Sequence, residues 1–345
     1  MNFEKLYSKL PNFIKYNNSI LNFFINLSNK IHGLNHKDKV IKSHNQLFEL
    51  IFLHSDFKVT GTLRNIQLLY IELLRFIDNV CTKYDIDYWI DYGTLLGAVR
   101  HEGFIPWDDD VDISIMKEDY EKLIEVLPKE ISKYSYLKEE CGLSLLRENH
   151  ENYFKEFRSV YDFDDSEGYL DDGKYLFLQF AWMKPYVKID FFPKDYIQND
   201  KLDYFKKNYV STKYEFNDDI KSGKKRFDKE LSIKNEKIGF TYEKTDYFND
   251  SLDTLELSPV WIYETKKMFP LTKINFEGYD FKCPKDYDHC LSVGISKNYM
   301  QLPELIETHN IIPFINSQFS SKEEMDDKFQ KSISYLKEIN DNFFR

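Results

Sequence analysis

A chain of 345 residues is long enough for one large or two smaller domains, and 42% hydrophobic residues suffice for a packed core. The net charge of −11, from 47 basic against 58 acidic side chains, argues against a broad nucleic-acid partner, which needs a basic face. It leaves room for a nucleotide substrate whose charge a metal ion offsets.

The N-terminus, MNFEKLYSKLPNF, has no basic segment leading into an apolar one, so no signal peptide is expected. The run from Ile20 to Leu27 is interrupted by Asn22 and Asn26, too short and too polar to span a bilayer. Residues 1–58 read as a helical appendage, and a peripheral membrane contact by residues 1–35 stays open. The cysteines Cys81, Cys141, Cys283 and Cys290 form no C-x-x-C pair, so reduced, buried thiols and a cytoplasmic setting are expected, at most at the inner face of a membrane.

Residues 60–84 predict a helix capped by Thr60 or Thr62, because Leu63, Ile66, Leu69, Leu73, Ile77 and Val80 repeat at helical spacing. A strand is expected at Tyr88–Asp91, then a turn at Gly93–Thr94 and a short helix through Leu95–Arg100. After the loop His101–Asp109 comes a strand from Asp110, then a helix over Lys117–Leu127 ended by Pro128. YVKIDFF, residues 186–192, alternates as a second strand that Pro193 ends. Residues 200–250 are charged and irregular, as an insertion of helices and loops would be. A hairpin is expected over Ile274–Cys283 around Glu277–Gly278, then a helix from Lys285 and a C-terminal helix over 320–343.

The most informative stretch is WIDYGTLLGAVRHEGFIPWDDDVDISI, residues 89–115. On a strand successive side chains alternate between faces, so Asp110 and Asp112 point one way while Val111, Ile113 and Ile115 point into the core. Two carboxylates on one face repel unless a cation lies between them, and hard divalent ions take oxygen ligands together with substrate phosphates. That pattern points to metal-dependent phosphoryl or nucleotidyl transfer. Asp190, with Lys188 on its strand face, is the candidate third acid, to complete a metal shell or to take a proton from an attacking hydroxyl. Gly93 and Thr94 offer bare backbone for phosphate approach. Arg100 and His101 either complement the end of their helix or grip phosphate oxygens. His309 follows a proline-bounded loop.

The ordered set TGTLRNIQLLYIELL, DYGTLLGAVRHEGFIPWDDDVDISI, IDFFP, PKDYDHCL, YMQLPE and His309 resembles the LicD family of phosphocholine and related phospho-substituent transferases, whose core fukutin and fukutin-related protein share. The resemblance covers roughly residues 60–310. It implies an α+β, mixed α/β nucleotidyltransferase-like fold, a small mixed sheet flanked by helices. The organisation expected is a helical appendage (1–58), a catalytic domain (59–312) and a C-terminal helical tail (313–345). The family's acidic motif falls on Asp108, Asp110 and Asp112, its third acid on Asp190, its glycine turn on Gly93 and Thr94, its basic pair on Arg100 and His101, and a late histidine on His309. The resemblance implies Mg2+ (or Mn2+) on Asp110, Asp112 and Asp190, with Gly93, Thr94, Asp108 and His309 toward the donor. The implied activity is transfer of a phospho-alcohol, phosphocholine first, from a CDP-linked donor to a glycan hydroxyl with release of CMP. Ribitol- or glycerol-phosphate transfer, NMP transfer by a nucleotidyltransferase, and a non-enzymatic binding protein are the alternatives. This chain departs from the family at Val293–Gly294, where Tyr-Gly is common, and over 130–180. It shows no cysteine cluster of a zinc-bearing insertion, so no zinc is expected.

Overall fold

A computed structural model describes residues 59–140, 144–146, 177–180, 182, 188–221, 227–252, 254, 260–301 and 312–345. The N-terminal appendage and His309 lie outside the described residues. Helix α1 (Thr62–Tyr84) forms as its periodicity predicts, and Ile66, Leu69, Leu73, Ile77 and Val80 are fully buried. Neither threonine caps it: Gly61 holds the N-cap position, and the Thr62 hydroxyl donates to Asn316 Oδ1 at 2.9 Å. The C-terminal helix α9 (Lys322–Asn342) starts on Ser321, whose Oγ accepts from the Glu324 amide. It packs along α1. Asn340 Nδ2 donates to the Glu72 carbonyl at 2.8 Å, and Arg75 bridges Glu72 and Asp341.

Strands β1 (Tyr88–Ile90), β2 (Val111–Met116), β3 (Ser144–Leu146), β4 (Phe177–Gln179) and β5 (Lys188–Ile197) lie in the order β1-β2-β5-β4-β3. The pair β2–β5 is parallel and its neighbours are antiparallel, which makes the sheet mixed. Three of the expected element ends move. The strand expected to end at Pro193 continues to Ile197. It pairs with β4 over residues 188–190 and with β7 (Tyr247–Asp250) over residues 194–197. Pro193 sits in the gap between those two partners, where no ladder amide is called for. Helix α3 (Lys117–Ile131) runs through Pro128 for one more turn, because the Glu130 carboxylate just beyond is anchored by Lys83, Lys133 and Tyr84. Helix α2 (Tyr92–His101) starts three residues early, so Gly93 and Thr94 belong to its first turn.

Residues 200–250 form α4 (Leu202–Lys221) and α5 (Phe227–Ile238) over a second small core of Phe205, Tyr209, Ile238 and Phe240. They also give strands to the main sheet: β6 (Phe240–Thr241) and β7 both pair with β5, and β8 (Tyr263–Glu264) pairs with β7. The short helix α6 (Thr265–Met268) leads to the expected hairpin, β9 (Thr272–Phe276) and β10 (Tyr279–Cys283). Its turn residues Glu277 and Gly278 both have positive φ, as the right-handed twist of a two-residue hairpin loop demands. Helix α7 (Tyr287–Gly294) is capped by Asp286, whose side chain accepts from the His289 amide at 2.9 Å; α8 (Ile312–Ser317) packs on α1. No helix among the described residues is long and apolar enough to cross a membrane.

Candidate active site

The parallel register sets Asp112 directly beside Asp190. Neighbouring strands run about 4.8 Å apart, and residues in register share a face, so the two carboxylates stand together at the same end of β2 and β5. Asp110 lies one residue ahead of β2 rather than inside it. Its charge is nevertheless felt at Asp112: burial first, then Asp110, Asp190 and Asp108, holds the Asp112 carboxyl well above the usual range. Asp108 is raised in the same way, by burial and then by Asp110. Asp109 turns inward and is buried.

The positions of these acids follow from a few local contacts. The Thr94 hydroxyl oxygen accepts from the Asp112 amide at 2.9 Å, tying the first turn of α2 to the head of β2. The open side of Gly93 is filled by Asp108: a Cβ there would lie 3.3 Å from Asp108 Oδ2. Gly97 lets the following loop fold back, since a Cβ at that position would come within 2.5 Å of the Gly103 carbonyl. The hairpin turn holds this loop from the other side, Glu277 accepting from Phe104 N and bridging bidentately to Arg64.

Four further residues stand around this candidate site. The Tyr70 hydroxyl donates to the Asp109 carbonyl at 3.3 Å and accepts from the Lys188 amide at 3.0 Å, joining the acidic loop to the head of β5. Burial, then the nearby Asp110 charge, raises the phenol, so it stays neutral. Its signal in the sequence is a polar-tipped ring within the buried stripe of α1. Lys188 pairs through its ammonium with Asp190 Oδ2, and the alternation of 186–192 already set both on one face. Farther along that face Lys194 is fully buried between Asp250 and Asp91. Its charge survives because those carboxylates outweigh the burial that opposes it. Its ammonium also meets Tyr92, whose hydroxyl donates to Asp250 Oδ2 at 3.1 Å. Tyr92 opens α2 with φ of 44°, a left-handed conformation costly for a residue with a side chain. Its ring is held by Phe192 and Trp261 and by the Lys194 ammonium over its face.

Arg100 and His101 do not act as two separate cations. Arg100 Nε donates to His101 Nε2 at 3.1 Å, and Arg100 Nη1 reaches the carbonyls of Tyr299 and Gln301. Burial, with Arg100 beside it, pulls His101 down to about 4, so at neutral pH the imidazole is an uncharged acceptor.

Two oxygens of this cluster, Asp108 Oδ2 and Asp190 Oδ1, are buried with no hydrogen-bond partner among the described residues. Buried carboxylate oxygens require a partner, and oxygen-only donors suit a hard divalent cation, so the residues present fit Mg2+ or Mn2+. Among the described residues no three His, Cys, Asp or Glu side chains stand as a ready-made metal shell. Lys188 already occupies one oxygen of Asp190, and Mg2+ commonly takes only one or two protein carboxylates beside substrate phosphates.

Carboxylates on adjacent strands of a mixed sheet, backed by the first turn of a helix, define a nucleotidyltransferase-type domain. The LicD/FKTN/FKRP nucleotidyltransferase-domain model matches residues 85–286, and the chain belongs to that family. The chain is 43% identical over 65 residues to the lipopolysaccharide cholinephosphotransferase LicD of Haemophilus influenzae, covering 19% of this chain and 24% of that protein. It is 53% identical over 58 residues to the uncharacterized protein RP689 of Rickettsia prowazekii, covering 17% and 22%. To the ribitol 5-phosphate transferase FKRP of Homo sapiens it is 46% identical over 48 residues, covering 14% and 10%. The matched stretches thus span about a quarter or less of these curated relatives.

Proposed function

We propose that the chain transfers a phospho-alcohol group, phosphocholine first, from a CDP-linked donor to a glycan hydroxyl, releasing CMP. The family membership and the two relatives named for choline-phosphate and ribitol-phosphate transfer support this reading. The observation that carries it is the register of Asp112 with Asp190, an acid pair from two strands in one place.

Asp110 and Asp112 would hold Mg2+ or Mn2+, and Asp108 stands beside them. When bound, the ion supplies Lewis-acid withdrawal of charge from the donor diphosphate. Asp190 holds Lys188 on Oδ2 and keeps Oδ1 without a hydrogen-bond partner. That oxygen is the acceptor for the proton of the incoming hydroxyl, or a further metal ligand when the shell forms. The hydroxyl oxygen attacks the phosphorus bearing the alcohol. The bond from that phosphorus to the CMP oxygen breaks, and CMP leaves with the electron pair. Arg100, oriented by neutral His101, offsets the charge that builds on the leaving phosphate. The first-turn amides of α2 at Gly93 and Thr94 face the donor phosphates with the positive end of the helix dipole. His309 is proposed to close the donor side.

Incubating the full chain with a panel of CDP-alcohols (choline, ethanolamine, ribitol, glycerol), Mg2+ and a glycan acceptor tests this reading. CMP release with the phospho-alcohol on the acceptor, abolished by EDTA, is the expected result. Pyrophosphate release with a nucleotide on the acceptor would make the protein an NMP transferase, and tight donor binding without turnover would make it a binding protein.

A further inference from the structure

A second feature lies at the opposite end of the sheet from the acid pair. Asp87 precedes Tyr88, which pairs with Ile115, three positions along β2 from Asp112. Here a cleft of about 880 Å³ opens between the loop after β5, the β6–β7 connection, the α6–β9 segment and β10. Its size is that of a small-molecule site. Four lysines line it (Lys244, Lys266, Lys273, Lys282) against two aspartates, reversing the sign of a chain that carries −11 overall.

Both aspartates are already engaged. Asp87 takes Lys282 at 2.7 Å, and Asp246 Oδ2 accepts from Asn199 Nδ2 at 2.9 Å. Lys266 pairs with Glu264. Lys244 and Lys273 make no ion pair among the described residues, and the Lys244 ammonium lies 5.5 Å from the centre of the Phe269 ring. The walls are cross-braced, with Asp246 N donating to Asn199 Oδ1 and Thr265 N donating to the Asp246 carbonyl. In the wall stands Thr265, 5% exposed, whose hydroxyl is buried without a partner. The floor is apolar, of Phe269, Pro270 and Leu271.

We infer that this cleft is a binding site for a phosphorylated sugar. Two ammonium groups outside any ion pair among the described residues suit phosphate, which lysine binds as a point charge. The Phe269–Leu271 floor receives the apolar face of a sugar ring. The site is independent of the acid pair and of the reaction proposed there.

Calorimetric titration of the full chain in EDTA tests it, using glucose 6-phosphate, inorganic phosphate and glucose as probes. EDTA keeps divalent ions, and phosphates bound through them, away from the acid pair. Glucose 6-phosphate should bind saturably, and both other probes should bind several-fold more weakly. The Lys244→Gln/Lys273→Gln variant should lose about tenfold or more in affinity, the worth of one charged hydrogen bond, with an unchanged melting temperature. Asp112→Asn should leave the binding intact. No saturable binding of glucose 6-phosphate overturns the inference, as does equal binding of inorganic phosphate. Affinity that survives Lys244→Gln/Lys273→Gln, or that disappears in Asp112→Asn, also overturns it. Failure of the CDP-alcohol assay leaves these outcomes untouched.

Discussion

The hydroxyl of Tyr70 joins the Asp109 carbonyl to the Lys188 amide, so one phenol on α1 connects the loop that delivers Asp110 and Asp112 to the strand that delivers Asp190. The acids therefore share a mechanical support as well as a sheet register. Tyr70→Phe keeps the buried ring and removes that link, leaving a buried carbonyl and the strand-head amide each short of a partner. The expected cost is about 1–3 kcal/mol of stability, read in urea unfolding. The Mg2+ concentration for half-maximal turnover should rise as well. An unchanged Mg2+ requirement alongside lowered stability would confine Tyr70 to a structural role.

Lys194 is a fully buried cation held between two buried carboxylates. Lys194→Met leaves Asp250 and Asp91 facing each other in the core without their cation. The expected loss is about 3–5 kcal/mol in thermal or denaturant unfolding. Lys194→Met combined with Asp250→Leu should recover most of it, because a buried ion pair replaced as a unit costs little. A double variant as unstable as the single one would show that Tyr92 and Asp91 depend on the charge itself.

Gly97 is set against the Gly103 carbonyl at a distance no Cβ tolerates. Gly97→Ala must push the loop 101–109 away from α2, and with it Asp108 from Gly93. Circular dichroism should show helix content retained while melting falls and transferase activity drops further than stability alone requires. Gly61→Ala meets no neighbouring atom and is strained only by its positive φ, so it is the matched control. Equal effects of the two substitutions would argue against close approach as the reason for Gly97.

Much of this arrangement was legible in the sequence, and the limits have physical causes. Alternation over residues 111–115 and 188–191 put Asp112 on one strand face and Lys188 with Asp190 on another, because the period of a strand is local information. Which strand lies beside β2, and in what register, is set by contacts far apart in the chain; the alternation of 186–192 marks Asp190 as a candidate acid but not the register that sets it beside Asp112. Pro193 and Pro128 were read as stops because each removes a local amide. They are tolerated because tertiary partners, the gap between β4 and β7 and the anchored Glu130, remove the penalty. The buried Lys194 could not be foreseen at all. A lysine in a strand reads as a solvent-facing residue, and its partner Asp250 is fifty-six positions away.

His101 makes a separable contribution to the pH dependence of stability. An unfolded histidine titrates near about 6.5, whereas the folded one titrates at about 4 because burial and Arg100 disfavour its charged form. Between those values the unfolded chain binds a proton that the native protein does not. The contribution of His101 to stability therefore falls as pH drops from about 6.5 toward 4, while the raised Asp108 and Asp112 carboxyls contribute with the opposite sign. His101→Gln should flatten that part of the melting-temperature profile. An identical slope in the variant would show that other groups produce it.

The most direct test of the account is Mg2+-dependent CMP release measured for the wild-type chain, Asp112→Asn and Asp190→Asn with the best CDP-alcohol. Asp112→Asn should lower turnover by about a thousandfold and weaken the Mg2+ requirement curve, while melting at or above the wild-type temperature without metal, since it relieves repulsion among buried acids. Asp190→Asn should lower turnover by about a hundredfold or more, the share of a positioned base. Near-normal turnover in either variant, insensitive to EDTA, would contradict a reaction site built from this pair of strands.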